Sequence, residues 1–506
     1  MAGFIPYVIN SVRGGFSDEN DKGIRGAFKH GYGLDIRGRD DVITAKQAAV
    51  TVFGEATGVL SGSHTGTTQT GIMQFFVPSS KDGSTYCFGS TGSIFARSDD
   101  GQWTFVYNDE NGAIKGAAEW GVTDAGSTAT YLFWATNTSI ARKILNGADS
   151  APDSGTARWT DVNNNWRATL DPADWHTMDM AAGELMVANG NYLASISYNE
   201  DGIFDVAALN IRPGNVIKCL EERDDNIILG STRLDSVEEG HIWSWVVTAL
   251  NWIQKKRIPA RGVNALISAE LLLLQAGDDG EIFFSDFVNA TPLIAVPGGG
   301  QVNPGGVTIE DNLALFGFFG GSYPGIWSYG RQHKNQPHAL NWDYRLARTV
   351  GGSTISTIGA IAMVNDILFA SWGTTDESTS EYGVDQISST TKATAVFEGL
   401  EFDNGQPYAK HWYQDVKVTA KPMASGTSLS VKFKHDYETD WRYAVRGDGS
   451  TTHAISEGHS SMEAHFLINK PGLVYEVGAE LNPSGNNSPQ VTGITNYVSK
   501  EEYHHG

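Results

Sequence analysis

The chain has 506 residues, 40% of them apolar and only 19% charged, which excludes a disordered chain and calls for two or more cores. Its 36 Lys and Arg against 58 Asp and Glu leave a net charge of −22. So acidic a surface repels phosphate backbones and speaks against wrapping nucleic acid, though not against lining a passage through which DNA slides. No apolar run approaches the roughly 20 residues of a membrane-spanning helix. Two cysteines, Cys87 and Cys219, are too few for a disulfide scaffold or a cysteine-based zinc site.

The chain opens MAGFIPYVINSVRGG, without a basic leader or a long apolar stretch, and reads as a soluble protein made in a cytoplasm. Residues 11–40 are polar and Gly-rich, so 1–40 is expected to be an extended arm that packs on the body of the protein or on a neighbouring subunit. Within it, Asp18–Gly23 (DENDKG) starts like a calcium loop, but Lys22 stands where an oxygen ligand is required. Residues 41–53 (DVITAKQAAVTVF) have strand character at their ends. They suit a strand completing the first or the last of the repeats that follow, with a helix over TAKQAAV as the alternative.

From there one unit returns seven times: an apolar strand, a Gly- or Asp-containing hairpin, and a second strand often opening with Ile and an aromatic residue. The midpoints of the apolar strands are Cys87, Leu132, Met186, Ile228, Leu272, Ala314 and Leu368, spaced 45, 54, 42, 44, 42 and 54 residues apart. Each is preceded by a candidate inner strand: 71–77, 117–123, 175–181, 215–221, 262–268, 305–311 and 356–364. Fourth strands follow at 103–108, 204–211, 250–258, 291–297, 338–346 and 392–399; in the second repeat a polar stretch, 147–174, reads as an insertion instead. About four strands per period of 42–54 residues is the size of a propeller blade. Radial packing covers both faces of each sheet and leaves only short edges. GlyAsn (190–191), AspAspGly (278–280) and AspAspGlyGln (99–102) supply the turns. Cys87 and Cys219 fall in different repeats and read as separate buried thiols.

After AspAsnGly (403–405) the pattern changes to alternating strands at regular spacing, HWYQDVKVTA, SLSVKFKHD, MEAHFLIN, LVYEVGAEL and QVTGITNYV, which suggests a sandwich of about 100 residues. The expected architecture is all-β: an arm (1–40), a seven-bladed β-propeller (41–402) and a C-terminal β-sandwich (403–506).

Ser98–Trp103 (SDDGQW) looks like a shortened Asp-box, the turn between outer strands of sialidase-type blades, with Asn199–Phe204 (NEDGIF) a looser cousin. Such boxes are structural: the Asp caps backbone N–H groups and the Trp packs in the blade. Arg257–Pro259 (RIP) matches the arginine motif of sialidases, but in the wrong order along the chain. No pair of carboxylates is brought together as a glycosidase needs. Glu221–Asp225 (EERDD) reads as a solvated turn and Lys255–Arg257 (KKR) as an exposed strand end. The 13 histidines lack metal-ligand spacing, and there is no phosphate loop, GxSxG or CxxC. No catalytic, cofactor-binding or metal-binding residue is assigned, and no cofactor is expected.

The opening GGFSDENDKGIRGAFKHGYGLDIRGRDDVITAKQA (14–48) resembles the start of a group of tailed-bacteriophage virion proteins, in which a Gly-rich arm and an LDIR-like strand precede a propeller. HWYQDVKVTA through SLSVKFKHDYETDW (411–441) and NSPQVTGITNYV (487–498) resemble the sandwich that follows. The resemblance implies a non-enzymatic structural component of the tail or portal-proximal assembly. It would be built in the host cytoplasm into a virion, as a homo-oligomer with other virion proteins and without sequence-specific nucleic-acid or membrane binding. A propeller that recognises a host-surface glycan is the alternative, and a sialidase-like hydrolase a third.

Overall fold

The computed structural model describes residues 4–17, 26–38, 42–54, 71–124, 127–145, 167–197, 203–236, 239–350, 355–375, 380–406, 408–454 and 462–499. The chain is all-β; its one helix among these residues is the single turn Ala347–Val350. It divides into two compact units, Val50–Gly325 with Ala347–Gln386, and Met1–Ala49 with Ile326–Leu346 and Ile387–Gly506.

Seven four-stranded antiparallel sheets follow one another along the described residues. Sheet one contains Met73–Pro78, Thr85–Gly89, Ser93–Arg97 and Trp103–Asn108, each strand paired with the next. Sheets two to six repeat that order. The second strands are the apolar runs of the sequence, and Thr85–Gly89 and Leu272–Ala276 are buried at every position, as covering on both faces requires. The first strands of the seven sheets form a cycle of neighbours: Met73–Pro78, Gly116–Asp124, Met178–Ala181, Asn215–Arg223, Val263–Ser268, Val307–Glu310 and Thr357–Val364, with the last packed against the first. Separate apolar clusters fill the seams. One joins Phe88 and Ile94 of sheet one to Leu132 and Trp134 of sheet two; another joins Met73 and Phe95 of sheet one to Phe369 and Val384 of sheet seven.

Closure comes from an N-terminal strand. Gln47–Gly54 is the fourth strand of sheet seven, beside Ser380–Lys392. Of the open alternatives for 41–53, the chain takes the last sheet and a strand. Phe53 stacks on Trp103 with ring centroids 4.5 Å apart, fastening sheet seven to sheet one. Residues 392–399 were expected to be the seventh fourth strand. Instead Ala395–Gly399 lies between Ala27–Tyr32 and Tyr475–Asn482 in another sheet. The second repeat does have a fourth strand, the short Arg167–Thr169, inside the stretch read as an insertion; 146–166 lie outside the described residues.

The other unit takes in most of Gly325–Gly330 and all of Ala339–Tyr344 from sheet six and contains two further sheets around one core. A five-stranded sheet runs Phe4–Ile9, Val491–Ser499, His411–Ala420, Glu463–Gly472, Val445–Arg446. The second sheet includes Gly15–Phe16, Ala27–Tyr32, Ala395–Gly399, Tyr475–Asn482 and Ser428–His435. Val416, Phe466 and Ile494 of the first meet Phe28, Leu429 and Val477 of the second. The segment expected to be an arm at 1–40 therefore supplies three strands and several core residues, and the units do not divide at 40 and 402. Leu34 and Ile36 are buried, and Arg37 is only 6% exposed. Its guanidinium donates to Ser328 Oγ (2.6 Å) and to the Ala339 carbonyl (2.9 Å), and approaches Asp343 at 3.7 Å. Lys46 Nζ pairs with the other Asp343 oxygen at 2.8 Å. Burial alone would raise the Asp343 carboxyl, but Lys46 and Arg37 hold it below the usual carboxylate range.

Candidate ligand-binding pocket

A cavity of about 630 Å³ opens at the leading ends of the first strands of sheets three, four and five. Local backbone geometry builds it. The pairing of first and second strands slips between Ile217 and Cys219 in sheet four, and between Val263 and Ala265 in sheet five. The skipped residues, Lys218 and Asn264, are thus left out of the ladder, and a bulge re-aims such a side chain. Both line the cavity. Lys218 Nζ donates to Asn264 Oδ1 at 2.7 Å. The Asn264 amide donates in turn to Gln275 Oε1 (2.8 Å) and to the Gly277 carbonyl (2.6 Å), and Gln275 Oε1 accepts the Val302 N–H. Buried Asn264 and Gln275 thereby fix the lysine from behind.

Lys218 forms no ion pair among the described residues. Burial pushes its ammonium below the usual lysine value; Asp174 nearby raises it and Arg261 lowers it further. Of its three N–H donors one is used by Asn264, so the rest face the cavity. The half-buried Trp175 forms a wall, held by an edge-on contact from Phe75 at 6.0 Å and by Lys115 at 5.8 Å over its ring. Exposed Arg261, Asp174 and Asp278 complete the rim. The arrangement offers one deep cation, one flat apolar face and two hydrogen-bond-accepting carboxylates.

The motifs singled out in the sequence lie elsewhere. In Ser98–Trp103, Asp100 accepts from the Gln102 N–H and from Ser98 Oγ, and Trp103 is the residue stacked on Phe53, which is the structural role expected of such a turn. Asn199–Gly202 and Asp18–Gly23 fall outside the described residues. Arg257 and Ile258 end the strand Gln254–Ile258; Lys255 lies 4.4 Å over the Trp243 ring, and Lys256 donates to the Val288 carbonyl. Cys87 and Cys219 are buried, form no disulfide and lie in different sheets, and burial raises both thiols.

Glu221–Asp225 is only partly the solvated turn expected. Asp224 and Asp225 do turn the chain, with φ of 53° and 62°. Glu221 instead belongs to the first strand of sheet four and accepts the Ser268 N–H at 2.6 Å. Burial, reinforced by Asp179 on the next first strand, pushes it up to about 8. Asp179, itself raised by burial, accepts the Glu222 N–H at 2.7 Å. These two carboxyls tie sheets three to five together. Among the described residues, no group of three or more His, Cys, Asp or Glu is placed to hold a metal ion.

No family model matches the chain, and no curated protein does. Among solved structures it is similar to the β-propeller domain of Cps50 (Swd1) from Myceliophteria thermophila, at 11% identity and TM-score 0.43, over 63% of this chain and 99% of that one. It is similar to the WD40 β-propeller domain of Doa1, at 13% identity and TM-score 0.41, over 68% and 97%. Kuenenia stuttgartiensis hydrazine synthase matches at 11% identity and TM-score 0.41, over 62% and 96%.

Proposed function

We propose that the chain is a seven-bladed β-propeller joined to a β-sandwich, and that it is a non-enzymatic structural component of a tailed-bacteriophage virion. Its place is the tail or portal-proximal assembly, where it works as a homo-oligomer among other virion proteins. The reading rests on the resemblance of residues 14–48 and 411–441 to tailed-bacteriophage virion proteins. The residues that resemble virion proteins are not a loose tail: Leu34 and Ile36 are core, and Arg37 is bound into the buried node around Asp343. The cycle of seven first strands, closed by Gln47–Gly54, supports the blade count.

A Cβ on Gly305 would lie 2.1 Å from the Gln74 carbonyl oxygen, and one on Gly359 would lie 2.0 Å from that of Met73. Backbones from sheets six and seven thus approach sheet one closely at these two points. A second reading, recognition of a host-surface glycan, is favoured by the pocket with Trp175 on its wall.

Gold labelling of intact virions with an antibody to this chain tests the leading reading. Label on or beside the tail is the expected result. Protein found only free in the lysate, with every particle unlabelled, overturns it.

A further inference from the structure

We propose that the pocket at the leading ends of sheets three to five binds an acidic sugar unit, with the carboxylate on Lys218 and Arg261 and one ring face on Trp175. This deepens the glycan-recognition reading and is independent of the virion reading. Each part of the site selects for part of that ligand.

Lys218 is deep, protonatable and unpaired by any carboxylate among the described residues, so burying it is compensated best by an anion arriving from the cavity. The bulges at Lys218 and Asn264 break two sheet ladders at adjacent positions, and their result is a lysine aimed inward with its back to a buried amide. Such bulges are concentrated where a side chain must be redirected for use. Arg261, exposed on the rim, forms no ion pair among the described residues and can grip the same carboxylate from outside.

The remainder argues for a sugar over a simple anion. Trp175 presents a flat apolar wall suited to the C–H face of a pyranose. Asp174 and Asp278 can accept hydroxyl hydrogen bonds, yet would repel a multiply charged phosphate, as would a chain of net charge −22. A ligand with one negative charge, several hydroxyls and one apolar face fits all four features. The volume of about 630 Å³ lies within the range of small-molecule sites.

The test is calorimetry with saturation-transfer NMR on the full chain. The probes are methyl β-D-glucuronide, its neutral counterpart methyl β-D-glucoside, and inorganic phosphate. The glucuronide is expected to bind, with its C–H protons saturated from the protein, and the glucoside at least about tenfold more weakly, the value of one hydrogen bond to a charged group. Lys218→Met should lower affinity by about tenfold or more, and Trp175→Leu and Arg261→Ala by several fold. Arg261 is an exposed rim residue, so its variant reports on binding with folding unaffected. Equal binding of glucuronide and glucoside, tighter binding of phosphate, or no binding of any probe at ~20 mM overturns the proposal. None of these outcomes bears on whether virions carry the chain.

Discussion

Lys46 and Lys218 lie in different units, both largely withdrawn from water, and the chain treats them in opposite ways. Lys46 reaches a carboxylate, Asp343, which also faces Arg37, and its ammonium sits 4.7 Å over the Tyr344 ring. Every charge in that node has a partner supplied by the fold. Lys218 meets only the neutral Asn264 and otherwise faces a cavity. A cation paired internally stabilises the fold it belongs to, whereas one left unpaired costs stability until a partner arrives. The difference separates a structural node from the proposed binding site.

Substitutions can break that comparison. The largest effect is expected at the structural node. Asp343→Asn leaves Arg37 and Lys46 buried without their anion and should cost about 3–5 kcal/mol, read as a fall in the thermal unfolding midpoint. Loss of under 1 kcal/mol would show that water reaches the node and that the ions are not truly buried.

Next comes a buried hydrogen bond inside the ring. Trp372 Nε1 donates to Asp385 at 2.8 Å, and Asp385 also accepts from Thr51 and from the Ala347 N–H. Trp372→Phe should cost about 1–3 kcal/mol in the same measurement, since one donor to a buried carboxyl is lost.

Glu221 gives a smaller, pH-dependent effect. Its folded value is raised from 4.5 to about 8, so the folded state holds more protons than the unfolded one between those limits, and stability falls as pH rises through that window. Glu221→Gln removes this loss. Melting temperatures of wild type should decline from pH 5 to pH 8 more steeply than those of the variant; parallel curves would mean that Glu221 is solvated after all. The smallest effect is expected at Lys218 itself. Lys218→Met removes a partly buried cation that no carboxylate pairs, but also the donor to Asn264 Oδ1, and these opposed effects should leave stability within about 0.5 kcal/mol.

The sequence made the repeats legible because their second strands are apolar on both faces, and seven such runs recur at a blade's spacing. The inner strands could be placed from the same rhythm, and the Ser98–Trp103 turn from its own residues. What stayed hidden depends on partners distant in the chain. Gln47–Gly54 and Ala395–Gly399 have similar strand character, and only long-range pairing decides that the first closes sheet seven while the second joins Tyr475–Asn482. Residues 11–40 look polar because, among those described, they hold only the two-residue strand Gly15–Phe16 and Ala27–Tyr32, whose core residue is Phe28. Lys218 reads in sequence as one polar residue within NVIKCLE. The bulge that turns it inward has no residue signature there, and Asn264, its support, is 46 positions away. Glu221 is hidden for the same reason: its acidic neighbours describe the turn at Asp224 and Asp225, not the strand before it.

Calorimetric unfolding of Lys218→Met beside wild type, with and without methyl β-D-glucuronide, tests the contrast most directly. The two proteins should melt together without sugar, and the sugar should raise the midpoint of wild type alone, since only a site that binds the folded state can do so. A variant that melts several degrees lower without sugar, as Asp343→Asn is expected to, would make Lys218 a structural lysine and contradict it.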